Sequence, residues 1–294
     1  PSASRCEASQ SPCRPERQHD LVSNYQMIDW DTRDAAMYRI FTIDVDVSAT
    51  SSWQAPATLS PIDAMRLCVK PFEVLLENGR NDTAFLLAMA GPINRSTLAR
   101  LEDCGAIKWS GLGGIGELKA HIRDRVVKLK DRSLTHYVLF DSDADAPGHL
   151  SPDALRLENS CQTVGIDFHC LKRRAIENYL PFSSLFQANM QFGGRRKRKD
   201  LIKAFKKLTK DQRNHFPMKA GLRWPLNGPQ AALFTDVTQP SRQTALSLAF
   251  PAALAECYRR DSIRAMLDLT QADDGIVEVR EVLDKILYYA RGPA

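Results

Sequence analysis

The sequence predicts an α/β fold, a Rossmann-like domain built on a parallel sheet, followed by a mostly helical C-terminal region. Three observations carry this. Between Phe72 and Lys172, four short apolar runs alternate with helix-like stretches, the pattern of strands joined by crossover helices. Such crossovers are right-handed, which makes the layer Rossmann-like. Beyond Asn178 the alternation stops and helical patterning takes over.

PFEVLLE reads as the first strand of this sheet, ending at Glu77. NDTAFLLAMAG follows as a helix from near Asp82 to Gly91, and GAIKWSGLGG as a second strand with a glycine-rich exit. IGELKAHIRDRVVKLKD sets Ile115, Leu118, Ile122, Val126 and Leu129 on one helical face. HYVLF is the third strand, SPDALRLENSCQTVG a helix opened by Ser151 and Pro152, and DFHCLK the fourth strand. Further helices are predicted over Lys199–Lys210, over Thr244–Arg260 with a break at Pro251, and over Val277–Ala290. Ahead of the sheet, Phe41, Ile43, Val45 and Val47 alternate with Thr42, Asp44 and Asp46. Period two predicts a half-buried strand with the aspartates on its wet face.

A chain of 294 residues with 44% hydrophobic composition is long enough for a substantial core. It holds no run of about 18 apolar residues, so no membrane span is expected. The opening PSASRCEASQSPCRPERQHD lacks the apolar centre of a secretory signal and reads as a polar, flexible lead. Seven widely spaced cysteines without a CxxC argue against a disulfide framework or zinc site and fit a reducing, cytoplasmic setting. The charge is uneven. GGRRKRKDLIKAFKKLTK carries nine Lys or Arg against one acid, a net of +8, leaving −3 for the rest of a chain whose total is +5. Arg195, Arg196, Lys197, Arg198, Lys199, Lys203, Lys206 and Lys207 form a candidate surface for the phosphate backbone of a nucleic acid. The competing reading is a solvated helix face.

The acids mark the chemistry. Ligands of open parallel sheets sit beyond the carboxyl ends of the strands, and two strand ends deliver acids there: Glu77, and the cluster Asp141, Asp143 and Asp145. Carboxylates that share a site cannot all stay ionised without a cation. Either one keeps a proton or a metal neutralises them, and an all-oxygen set favours Mg²⁺ or Mn²⁺. A calcium loop of the helix–loop–helix type fits poorly, because its sixth position is Ala146 and its twelfth Pro152. A glycosyltransferase-type DxD and a dehalogenase-type phosphatase both accommodate DSD. Asp145, ahead of Pro147 and Gly148, suits a turn.

In order along the chain, VLLENGRNDTAFL, WSGLGG, VLFDSDAD and LKRRAIENYL resemble the TOPRIM domain, in the branch found in the OLD-family nucleases. The resemblance spans roughly Phe72 to Gly221. It implies that Glu77, Asp141 and Asp143 are metal ligands and that Glu177, in ENYL, is a further acidic active-site residue. HFPMKAG resembles the family's later basic element, which makes Lys219 its lysine. Where the family has a Gly after the first Glu, this chain has Asn78, and Asp82 stands five residues on rather than four. Asp82 is therefore carried as a ligand or as a helix N-cap. The corresponding division is a lead over residues 1–25, a strand and helix extension over 26–70, the TOPRIM domain over 71–185 and a basic helical region over 186–294.

The resemblance implies a Mg²⁺- or Mn²⁺-dependent endonuclease hydrolysing phosphodiester bonds of DNA or RNA. It also implies a separate ATPase partner in prokaryotic antiviral defence, since the chain has no G-x-x-x-x-G-K-[ST] of its own. Two other classes stay open: a non-catalytic TOPRIM-like binding or scaffold subunit, and a Mg²⁺-dependent phosphatase or phosphotransferase. A homo-oligomer is compatible with the sequence. His215, near Lys219, is the one histidine set aside for attention, and Tyr179 is expected to pack with its hydroxyl tied down.

Overall fold

The structure is a computed structural model, and it describes residues 43–47, 50–54, 56–191, 195–269 and 273–292. A short parallel pair, β1 (Asp44–Val45) and β2 (Thr58–Leu59), precedes helix α1 (Pro61–Cys68). The main sheet consists of β3 (Phe72–Leu76), β4 (Ile107–Gly111), β5 (His136–Phe140) and β6 (Asp167–Cys170). All its neighbours run parallel, in the order β4-β3-β5-β6. The longer helices are α2 (Gly79–Met89), α3 (Gly91–Asp103), α4 (Ile115–Asp124), α5 (Pro152–Val164), α6 (Phe182–Gln191), α7 (Arg195–Lys206), α8 (Asp261–Leu269) and α9 (Asp274–Ala290). The predicted α/β class, with a parallel sheet and a helical C-terminal region, is the architecture observed.

Strand period places alternate residues on opposite faces, and both faces are covered, as parallel sheets require. Phe72, Val74 and Leu76 of β3, with Tyr137 and Leu139 of β5, face a core shared with α2, α3 and the C-terminal helices. Leu75, Val138 and Phe140 face the other way, onto Leu118 and Ile122 of α4 and Leu157 and Cys161 of α5. Residues after 185 thus complete the core of the sheet: Leu201, Phe205, Phe216, Leu254, Ile263 and Leu283 belong to the same cluster as Val74.

Local signals set several boundaries. The Ser151 hydroxyl accepts from the Ala154 N–H at 3.1 Å to open α5, and Gly165, at φ 72°, closes it in the left-handed conformation. Other boundaries differ from expectation. The helix expected from Asp82 begins at Gly79, because Asn78 caps it, its Oδ1 accepting from the Asn81 N–H at 3.2 Å. Helix α3 was not anticipated: Gly91 reads as a stop, yet Pro92 beside it starts a new helix in a position that suits proline. The helix expected at Lys199–Lys210 runs from Arg195 to Lys206, and Thr209 caps a separate turn, Lys210–Asn214. The stretch Thr244–Arg260 divides at Pro251 into a helix, Pro240–Leu246, and a 3-10 segment, Ala252–Arg259. The strand expected around Ile43–Val47 reduces to Asp44–Val45, and Val45 and Val47 are 54% and 87% exposed rather than half-buried. With only a two-residue partner there is no sheet face to bury them. Phe41 and Thr42 lie outside the described residues, as does the predicted lead over 1–25. Cys68, Cys104, Cys161, Cys170 and Cys257 are free thiols, while Cys6 and Cys13 lie outside the described residues. Among the described residues no helix is long and apolar enough to cross a membrane.

Candidate functional site

The sheet register brings the acids to one edge. Leu76 of β3 pairs with Leu139 of β5, so Glu77 and Asp141 leave adjacent strands at the same end. The Asp141 N–H donates to Glu77 Oε1 at 2.9 Å. On the far side of β3 the glycine-rich exit of β4 wraps this point, the N–H groups of Gly113 and Gly114 donating to the Glu77 carbonyl at 2.9 and 3.0 Å. That approach needs glycine. A Cβ on Gly111 would stand 2.1 Å from the Gly79 nitrogen, and Gly113 and Gly114 have φ of 93° and 129°.

The two aspartates of DSD do not share a face, because the chain leaves the strand at Phe140. Ser142 turns inward, its hydroxyl donating to the Arg173 carbonyl at 2.9 Å. Asp143 follows at φ 45°, exposed, with its N–H donating to the Arg174 carbonyl at 2.8 Å. A left-handed conformation is uncommon for a residue with a side chain, and Asp tolerates it better than most. Asp145 is drawn outward to the Arg174 guanidinium at 2.6 Å and to Gln230 at 3.3 Å.

Asp82 is buried in the first turn of α2, and its Oδ2 accepts from the Asn78 N–H at 2.8 Å. It therefore reaches back over the helix start instead of capping it. Glu177 lies in a 3-10 turn, Ile176–Tyr179, that follows β6. The Ile176 N–H donates to Asp141 Oδ1 at 3.1 Å. Glu177 Oε1 meets the Lys219 ammonium at 3.1 Å, and Glu177 Oε2 is buried without a hydrogen-bond partner. Lys219 sits on a tight turn whose closure, Gly221 N–H to the Pro217 carbonyl at 2.8 Å, again requires glycine: Gly221 has φ 69° and packs on the Ser247 backbone.

Burial, and after it charge, explains the behaviour of this group. Burial pushes the Glu77 carboxyl up to about 7, against the Asp141 N–H bond, with the Asp82 and Asp143 charges adding to the rise. Burial likewise pushes Asp82 up to about 6, with Glu177 contributing, and holds Asp141 well above the carboxylate range, with Glu77, Glu177 and Asp82 contributing. For Lys219 partial burial works downward, but Glu177, Asp141 and Asp143 outweigh it and raise the ammonium. Lys219 is the positive charge that Glu77, Asp82 and Asp141 have in common. Burial first, and then the neighbouring carboxyls, favours the protonated acids by more than one ammonium offsets. Among the described residues no three Asp, Glu, His or Cys side chains already stand at metal-ligand spacing; the acids are arranged around the lysine. The donor set nonetheless suits a hard divalent cation: oxygen only, negatively charged, with one buried carboxylate oxygen still unpaired.

His215, beside Lys219 in sequence, is buried with neither ring nitrogen hydrogen-bonded, and burial lowers its pKa to about 4. Of the basic stripe, α7 buries Leu201, Ile202, Ala204 and Phe205 and exposes Lys199, Lys203 and Lys206, and Lys207 just beyond its end is exposed too. The Lys206 ammonium lies 5.9 Å over the Phe182 ring. The side chains of Arg195, Arg196, Lys197 and Arg198 lie outside the described residues.

The sequence did not point to what holds the Ile176–Tyr179 turn. Glu278 of α9, 3% exposed, accepts from the Lys172 N–H and from the Tyr179 hydroxyl, both at 2.8 Å, and lies 2.7 Å from His169 Nε2. The available signal was an acid on the buried row Glu278, Val282, Ile286 of an amphipathic helix. Arg173 was also missed. Its guanidinium binds Asp273 and Asp274 and packs on the Tyr179 ring at 4.6 Å. No family model, curated protein or solved structure matches the chain.

Proposed function

We propose that this protein is a metal-dependent phosphodiesterase of the TOPRIM type, an endonuclease acting on DNA or RNA. One observation carries the reading. Adjacent parallel strands end in Glu77 and Asp141, tied by a 2.9 Å hydrogen bond at the carboxyl edge of the sheet, where open α/β sheets bind their ligands. Around that point stand Asp82, Asp143 and Glu177, more negative charge than Lys219 balances.

Glu77, Asp82, Asp141 and Asp143 would hold Mg²⁺ or Mn²⁺. A divalent metal bound there would make hydroxide available near neutral pH for attack on phosphorus and would supply positive charge for the leaving oxygen. The chain's own groups account for the rest. Lys219, exposed beyond its contact with Glu177, would neutralise charge on a phosphate oxygen. Lys199, Lys203, Lys206 and Lys207 offer a cationic face to the backbone, a contact that positions without reading sequence. The family resemblance adds a separate ATPase partner and a role in prokaryotic antiviral defence.

The test is cleavage of plasmid, single-stranded DNA and structured RNA by the purified protein with Mg²⁺ or Mn²⁺, with and without cellular ATPases. Metal-dependent cutting that disappears in Asp141→Asn supports the reading. Equal cutting by wild type and by Glu77→Ala, Asp141→Ala and Asp143→Ala refutes the site.

A further inference from the structure

The turn that carries Glu177 is held almost wholly by residues that arrive later in the chain. The Tyr258 hydroxyl donates to the Ile176 carbonyl at 2.6 Å. The Asn178 amide donates to the Arg213 and Phe216 carbonyls at 2.8 and 3.0 Å. The Tyr179 hydroxyl accepts from the Arg173 N–H at 3.1 Å and donates to Glu278 Oε2 at 2.8 Å. Glu278 Oε1 takes the Lys172 N–H and faces His169 of β6. One carboxylate on α9 therefore fastens both the end of β6 and the far side of the Glu177 turn. The near side of the same turn touches Asp141 through the Ile176 N–H.

We propose that Glu278 is a positioning residue for the candidate site: through Tyr179 and the Lys172 N–H it fixes the Ile176–Tyr179 turn, so that the Ile176 N–H and the Glu177 carboxyl meet Asp141 and Lys219. The inference rests on the nuclease reading and deepens it. Two further features agree. Burial, with the Glu278 carboxylate beside it, keeps the Tyr179 hydroxyl protonated and so a donor. Gly275, one turn ahead of Glu278, leaves room for Arg173: a Cβ there would stand 2.4 Å from Arg173 Nη2. The Arg173 guanidinium uses that room to bridge the start of α9 and the Asn178 carbonyl, at 3.1 Å. A residue that only filled space would not need both carboxyl oxygens engaged, on the Lys172 N–H, the Tyr179 hydroxyl and His169 Nε2. A Glu278 that acts on geometry should affect turnover more than substrate binding, since small misplacements of a reacting group can cost about 100-fold in rate.

The experiment compares Tyr179→Phe, Glu278→Ala and Glu278→Gln with wild type and Asp141→Ala. It uses metal-dependent cleavage of plasmid DNA and amide hydrogen exchange at Ile176. Tyr179→Phe removes one hydroxyl from a packed ring, so it keeps the fold testable if Glu278→Ala does not fold. The expected result for Tyr179→Phe is a kcat lowered about 10- to 100-fold with KM within about twofold, and faster exchange at Ile176. Glu278→Gln, which retains the length and one acceptor, should recover most of the activity lost in Glu278→Ala. Wild-type protection at Ile176 in Tyr179→Phe overturns the inference, as does faster exchange with unchanged kcat where wild type cleaves. If wild type cuts no better than Asp141→Ala, the nuclease reading fails on its own, and the Ile176 amide still decides whether Glu278 sets the turn.

Discussion

Glu77 accepts the backbone N–H of Asp141 while standing close enough to share its charge, so one contact both aligns two strand ends and leaves two acids crowded. The bond spans 2.9 Å. Function and stability are therefore opposed at this point. Glu77→Gln keeps an acceptor for the Asp141 N–H and removes the charge. It is expected to raise the melting temperature of the metal-free protein at pH 8 while lowering metal-dependent cleavage by at least about 100-fold. Calorimetry and a plasmid-cleavage assay check the two halves.

Burial of these carboxyls, with their crowding as a smaller contribution, sets the pH dependence. Glu77 is raised from 4.5 to about 7 and Asp82 from 3.8 to about 6. Over those intervals the folded protein holds protons that the unfolded chain has released, so stability falls as pH rises. Metal-free protein should lose melting temperature as pH rises from about 4 through 7, and Asp141, also raised by burial, adds to the loss. Added Mn²⁺ should restore stability, increasingly so at higher pH, because binding requires the deprotonated carboxylates. Melting curves with and without Mn²⁺ across pH 5 to 8 test this, and a metal effect independent of pH would contradict it.

Asp143 separates charge from backbone. Its φ of 45° is one that Asn tolerates and β-branched residues do not. Asp143→Asn should fold with wild-type stability and lose cleavage. Asp143→Val should lose about 1–3 kcal/mol as well, measured by urea denaturation.

Gly111→Ala should disturb the site without touching an acid. Its Cβ would stand 2.1 Å from the Gly79 nitrogen, so the start of α2 or the end of β4 must move. A loss of about 1–3 kcal/mol is expected by denaturant titration, with weakened metal binding, since Asn78 and Asp82 hang on that helix start.

The basic face of α7, with Lys207 just beyond its end, should act through phosphate charge. Lys203→Glu and Lys207→Glu, both exposed, should weaken nucleic-acid binding by similar factors for unrelated sequences. Each should also lower the salt slope by about 1. Fluorescence anisotropy over a salt series reads both quantities.

How much was legible in the sequence followed the range of the interactions. Glu77 and Asp141 stood out because each ends an apolar run, and a parallel sheet must gather such ends at one edge. The helix ahead of β5 was plain in Leu118 and Ile122 but shorter than expected: it ends at Asp124, and Val126 falls in a separate 3-10 segment, Val126–Lys128. Asn78 lost to Asp82 as the expected cap because both are good cap residues one turn apart, and only the tertiary fit of Gly79 on Gly111 decides between them. Helix α3 was hidden by the Gly91–Pro92 pair, which reads as an ending although the proline opens the next helix. Glu278 could not be assigned a partner: Lys172 and Tyr179 lie about a hundred residues earlier, and no local pattern joins them.

The dependence of the Glu177 turn on α9 has a consequence for biosynthesis. A chain still emerging from the ribosome completes Glu77, Asp141 and Glu177 long before Glu278 is translated. A product that stops short of residue 273 lacks Asp273, Asp274 and Glu278 altogether, and with them the anchors of Arg173 and Tyr179. Such a fragment would carry the acids of the site without the contacts that α9 makes to the Glu177 turn.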